Sequence, residues 1–210
     1  MSGDEPFYQN IPDGARFREA IRQFDDLNAA DPNRESEGGV ERPRELVQAE
    51  RRCAWVMRLS PAASETLRLA ARSQHLCRWR IPRASYELTR AGYHQWRNEL
   101  KRFHAELSGG VLRKVGYGEE VITAVGELNL KKNFPADPQS TVLEDALCLV
   151  FLQFQLAELA DKTDEDKLIN ALQKSWKKMT PAAHAEALAL SYGAREKELI
   201  GKALSTTSGE

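Results

Sequence analysis

The chain has 210 residues, 41% of them hydrophobic and 29% charged, with a net charge of −1. That is enough apolar material for a real core and excludes a wholly disordered chain. The balanced charge speaks against a broadly basic nucleic-acid binder, and three scattered cysteines speak against a disulfide framework.

In chain order, residues 1–12 carry no strong structural signal and are expected to fray. Residues 16–29 place Phe17, Ala20, Ile21, Phe24 and Leu27 at helical spacing. An Asp-, Asn-, Glu- and Gly-rich loop is expected over 30–42. The next helix runs over about 43–59, with Pro43 near its first turn. Ser60-Pro61 opens another helix that runs to about 77, and Ile81-Pro82 breaks the chain again. Residues 86–115 read as one long helix, with Gly92 and Gly109-Gly110 as weak points. Gly116-Tyr117-Gly118 forms a turn before a helix over 119–132, and 133–140 is a loop. Helices then follow over 141–160, 163–178 and 180–204, the last with a break at Gly193. Residues 205–210 are expected to fray. No stretch has the alternation of a strand. The expectation is an all-α fold: a single compact multi-helix domain over 13–204.

The start of the chain lacks the basic opening and apolar run of a secretory signal. The longest apolar stretch, 146–160, is interrupted by Gln153, Gln155 and Glu158 and is too short to span a bilayer. A cytoplasmic protein without a membrane partner is therefore expected, and a homo-oligomer is compatible with the sequence. Cys53, Cys77 and Cys148 each sit in apolar helical context and read as core residues.

Several polar residues fall on apolar helical faces. Gln74 shares a face with Leu67, Ala70 and Ala71, and His75 lies on its edge. Gln74 is either a satisfied structural amide or a pocket floor. His104 flanks the face formed by Trp96, Leu100, Phe103 and Leu107. His94 and His184 read as surface residues. Glu144 and Asp145 open the most apolar helix, where they suit the helix dipole. Asp145 also stacks over Leu149 and Leu152, so its carboxylate needs a cation, a metal or several donors. Glu50 shares a face with Leu46, Cys53 and Met57, and Arg51 and Arg52 beside it would suit surface pairs. Arg78, Arg80, Arg83, Arg90 and Arg97 are interleaved with Trp79, Tyr86, Tyr93 and Trp96, and Lys131-Lys132 ends another helix. Guanidinium groups grip phosphate or carboxylate in bidentate fashion. The same stretch would also serve as a set of salt bridges or as a protein interface. The segment around Asn28 and Asp31-Pro32 lacks the pattern of a calcium loop and reads as a helix stop. Phosphate-loop, dinucleotide, nucleophile-elbow and zincin motifs are absent.

Taken together, the runs Gln-His-Leu-Cys-Arg-Trp (74–79), Ile-Pro-Arg (81–83), Arg-Ala-Gly-Tyr-x-x-Trp-Arg (90–97) and Phe-His-Ala (103–105) form a distinctive set. With Asn28, Asp31-Pro32, the run 143–152 and Lys-Ser-Trp-Lys-Lys-Met (174–179), they make the chain resemble domain-of-unknown-function family 4202 from about Phe17 to Leu204. A fainter resemblance is to the HD phosphohydrolase superfamily, carried by Leu67-x-Leu69-Ala70-Ala71, Asp145 and the Gly116-Tyr117-Gly118 turn. Here Gln74-His75 stands where that superfamily has its His-Asp metal pair, and Glu50 is the nearest counterpart of its first histidine.

This resemblance implies an HD-domain-like fold with a divalent metal ion on His75, His104 and Asp145. These three, with Glu50, would carry acid–base catalysis. Gln74, Arg78, Arg80, Arg97 and Lys131 would hold a small anionic metabolite, phosphorylated or nucleotide-like. The alternative expectation is a non-catalytic domain for ligand sensing or protein interaction.

Overall fold

The computed structural model describes residues 5–205; the expected fraying at 1–4 and 206–210 lies outside them. The architecture is all-α with one small hairpin. It divides into two compact units, Met1–Ser140 and Thr141–Glu210. No described helix is long and apolar enough to cross a membrane.

The first unit contains α1 (Glu5–Tyr8), α2 (Gly14–Ala29), strands β1 (Arg34–Glu37) and β2 (Val40–Pro43), α3 (Arg44–Leu59), α4 (Glu65–Ser73), α5 (Arg90–Val115) and α6 (Glu119–Leu130). Asp13 caps α2 by accepting from the Arg16 amide at 3.0 Å. Phe17, Ala20, Ile21 and Phe24 line its buried face at the expected helical spacing. The segment around α1 does not fray as expected: Phe7 is buried, 5.5 Å from Phe17 between ring centroids.

The expected loop after α2 contains an antiparallel hairpin instead. Gly38 and Gly39 both have positive φ, 59° and 82°, as the tight turn between the strands requires. The strands read Arg-Glu-Ser-Glu and Val-Glu-Arg-Pro, so no apolar alternation announced them. Charge orders them: Glu35 faces Arg42 across the ladder, Arg42 binds Glu37 at 2.6 Å, and Arg51 of α3 pairs with Glu35.

α4 is the central element, packed on α2, α3 and α6, while α5 packs on α6 and α2. It starts later than the sequence suggested. Its cap is Ser64, which accepts from the Leu67 amide, and 60–64 form a turn. From Leu67 to Ser73 every residue is buried, two arginines included. Arg68 donates to the carbonyls of Ala63, Phe7 and Gln9 and so ties down the start of the chain. Arg72 forms a two-pronged pair with Asp25, at 2.6 and 2.7 Å. Gly109-Gly110 does not interrupt α5, because Gly109 lies against Ile122 of α6, where a small residue fits.

The second unit holds most of α7 (Pro138–Val150), a π-type segment (Phe151–Gln155), α8 (Leu156–Lys162), α9 (Glu165–Trp176), α10 (Pro181–Leu188) and α11 (Ala194–Ser205). The π segment splits what the sequence presents as one helix; its wider turn rephases the side chains that follow. The expected break near Gly193 is present between α10 and α11. Trp176 and His184 stack at 4.1 Å, so His184 is packed rather than a plain surface residue. All three cysteines are free and buried.

Replacing Phe17, which is 0% exposed, by alanine should cost about 3–5 kcal/mol in chemical denaturation. Arg22→Ala, which removes only exposed pairs on α2, should change stability by less than about 0.5 kcal/mol.

Candidate functional site

The exit of α4 supplies one wall of a polar hollow. After Ser73 the chain turns through Gln74, His75 and Leu76, and Cys77 takes a left-handed conformation, φ 53°. That strained residue is held because Asn28 of α2 accepts its amide at 3.0 Å. Asn28 is itself buried, so the early Asn-Asp segment positions the site instead of binding calcium. Asp31 helps by accepting from the amides of Asn33 and Glu45.

α5 supplies the opposite wall. Arg97, Leu100, Lys101 and His104 follow helical spacing and present one face. The end of α6 supplies the third side: Asn129 donates to the hydroxyls of Ser73 and Ser108, at 3.2 and 3.1 Å, stapling α4, α5 and α6 together. Lys131 caps α6 in a left-handed conformation. Gln74, His75, Arg78, Arg97, Leu100, Lys101, His104 and Lys131 thus surround a hollow of about 270 Å³, its mouth included. Four of them are cationic and no carboxylate lines it.

Arg78 lies over Trp96, 5.1 Å from the ring centroid, and 3.8 Å from Glu45 on its far side. Burial pushes the Glu45 carboxyl up to about 7, against the pull of Arg78 and Arg52. Behind the hollow, Arg52 of α3 is 1% exposed. Its Nε donates to the Ala71 carbonyl at 2.6 Å, and its Nη2 has no hydrogen-bond partner. Burial lowers this guanidinium to about 10.

The His75 and His104 rings lie 5.7 Å apart. Nδ1 of His104 is 2.9 Å from the Leu76 carbonyl, which can only accept, so Nδ1 carries the hydrogen. Loss of water, aided by the positive charge of Arg78, Arg52 and Arg97, brings this imidazole down to about 3. His75 is also held well below its ordinary value, by loss of water first and then by Arg52, Arg78, His104 and Lys131. Both rings are therefore neutral at about pH 7.

The structure brings some of the expected residues together and not others. Gln74, His75, His104, Arg78, Arg97 and Lys131 come together. Arg80 is exposed and does not line the hollow. Glu50 is committed elsewhere: it binds Arg42 at 2.8 Å and lies 3.7 Å from Arg72. Asp145 belongs to the second unit, where both its oxygens accept from Thr180, at 2.9 and 2.6 Å. It does not open α7, which starts at Pro138, so the dipole argument for Glu144 and Asp145 fails; Glu144 pairs with Lys178 instead. Among the described residues no three His, Cys, Asp or Glu side chains form a group able to hold a metal; of the expected set, His75 and His104 lie in the first unit and Asp145 in the second. Sequence reasoning missed Lys101, although its spacing from Arg97 and His104 marks it. It also missed Arg52, which had been read as a surface residue.

Fold and site together define a helical protein with an electropositive hollow built on its central buried helix. The chain belongs to the family described as domain of unknown function (DUF4202), whose model matches residues 18–200. No curated protein and no solved structure matches it.

The His104 ring has consequences for stability in acid. An ordinary imidazole titrates near 6.5 and this one at about 3, so between those values the unfolded chain binds the extra proton. Stability should be full above about pH 6.5 and fall as the pH drops towards 3, by on the order of 4 kcal/mol for this ring. Urea denaturation between about pH 7 and 4 should show that loss, and it should be smaller in His104→Gln.

Proposed function

We propose that the hollow between α4, α5 and α6 is the binding site for a small anionic, phosphorylated or nucleotide-like metabolite in the cytoplasm. The observation that carries this reading is the charge of the lining: Arg78, Arg97, Lys101 and Lys131, with Arg52 behind them, and no acid among them. Burial depresses the Arg78 guanidinium, with Glu45 opposing and Arg97 adding to the shift, and burial with the surrounding positive charge depresses both imidazoles. A bound anion would relieve that cost. The hollow is small and open at its mouth, so the proposed ligand would set only a charged end against these side chains.

Ligand binding is favoured over hydrolysis. A general base works best with a pKa near the operating pH, and His104 at about 3 is far from it. The acids expected to assist, Glu50 and Asp145, are engaged by Arg42 and by Thr180.

Inorganic pyrophosphate should raise the unfolding temperature of the full chain, the shift growing with the logarithm of its concentration above the dissociation constant. Arg97→Ala should weaken that binding by about ten- to a hundredfold, the worth of a charged hydrogen bond. Arg80→Ala, outside the hollow, should leave it unchanged. Equal affinity in the Arg97 variant, or no pyrophosphate effect on the parent protein, overturns the reading. Phosphate release that depends on His75 would restore a hydrolase.

A further inference from the structure

The hollow takes up Arg78 and Arg97 and leaves the rest of the arginine–aromatic stretch without a role. Between Arg78 and Asn98 the chain carries five arginines and one acid, Glu87, in a protein whose net charge is −1. Elsewhere in the first unit arginines meet carboxylates: Arg22 binds Glu19 and Asp26, Arg42 binds Glu37 and Glu50, and Arg113 binds Glu119. Arg80 and Arg90 are exposed, and among the described residues no carboxylate pairs with either. Arg83 spends its donors on main-chain carbonyls, which leaves its charge unneutralised as well.

The segment between Arg80 and Arg90 is braced. Arg83 donates to the carbonyls of Tyr86, Glu87 and Thr89, at 3.0, 2.6 and 3.5 Å. Thr89 caps α5 by accepting from the Gly92 amide at 3.1 Å. Gly92 lets residue 87 close on the helix, since a Cβ there would stand 2.4 Å from the Glu87 carbonyl oxygen. Trp96 Nε1 donates to the Ile81 carbonyl at 2.9 Å, which ties the turn next to Arg80 to the same end of α5. On this frame Leu88 stands 90% exposed. Tyr93 is 44% exposed, its ring 5.8 Å from those of His94 and Trp96, with the Arg83 guanidinium 6.0 Å from its centroid. A braced loop thus holds an aliphatic side chain in water, a cost that a partner would remove.

We propose that residues 80–93 form a docking surface for an acidic segment of a partner protein that carries an apolar residue. The partner's carboxylates would pair with Arg80, Arg83 and Arg90, and its apolar side chain would cover Leu88 beside Tyr93. Single-stranded nucleic acid would have a ring to stack on but no use for Leu88. An anionic bilayer would gain one leucine, less apolar area than stable anchoring takes. The surface is separate from the anion-binding hollow, since none of these residues lines it.

The test is binding of the immobilised full chain to a random copolymer of glutamate and tyrosine, an acidic polypeptide with apolar side chains. Polyglutamate, oligothymidylate and phosphatidylserine vesicles are the other arms. The copolymer should bind about tenfold tighter than polyglutamate. Arg90→Glu should weaken both polypeptides by about tenfold. Leu88→Ser should remove the copolymer's advantage while polyglutamate binding stays. Both side chains are exposed, so both variants should fold, and both should bind pyrophosphate as the parent does. No binding of the copolymer, affinities indifferent to Arg90→Glu, or an advantage indifferent to Leu88→Ser overturns the proposal and leaves the hollow untouched. Tighter binding of oligothymidylate or of the vesicles overturns it in favour of nucleic acid or a membrane. A dimer of the free chain that Arg90→Glu splits overturns it in favour of a second copy.

Discussion

A helix enclosed on every side sets the terms for the first unit. Between Leu67 and Ser73 nothing on α4 reaches solvent, yet the segment contains two guanidinium groups and a hydroxyl. Each needs a partner inside the protein, because an unpaired buried charge costs more than most single contacts return. Arg68 takes main-chain carbonyls, Arg72 takes Asp25, and Ser73 takes the Leu69 carbonyl and the amide of Asn129. These solutions recruit the start of the chain, α2 and α6 around the central helix. The polar hollow lies where the series runs out, at Gln74 and His75.

The electrostatics of that hollow follow from the same enclosure. Its cations come from the α4 exit, α5 and the end of α6, and Glu45, 3.8 Å from Arg78, is not among the lining residues. The imidazoles respond by staying neutral. A structural ion-pair network would balance its charges internally, as Arg42, Glu37 and Glu50 do at the hairpin. The side chains lining the hollow carry charge of one sign only, which is what supports the proposed anion binding.

Much of the frame was legible because helical periodicity is a strong signal. Phe17, Ala20, Ile21 and Phe24 face inward as their spacing indicates, and the meeting of residues 74 and 75 with 97 and 104 follows from polar groups placed on apolar faces. What could not be read has physical reasons. The hairpin owes its order to two positive-φ glycines and to charge pairing, neither of which produces alternation. Arg52 is buried against the usual preference of its type, so composition points the wrong way. Asp145 was misplaced because α7 begins earlier than its apolar run. Its inward stacking did reveal that the carboxylate needs donors, which Thr180 supplies.

The clasp on residues 74–77 bears on the proposed ligand binding as well. Asn28 grips the turn from one side, through the Cys77 amide, and His104 grips it from the other, through the Leu76 carbonyl. In the proposed binding role the turn would be preorganised, and little ordering entropy would remain to be spent on association. Affinity would then be tunable from a distance: a change at Asn28, which touches no part of the hollow's lining, would loosen the turn and blur the pose of every group it carries.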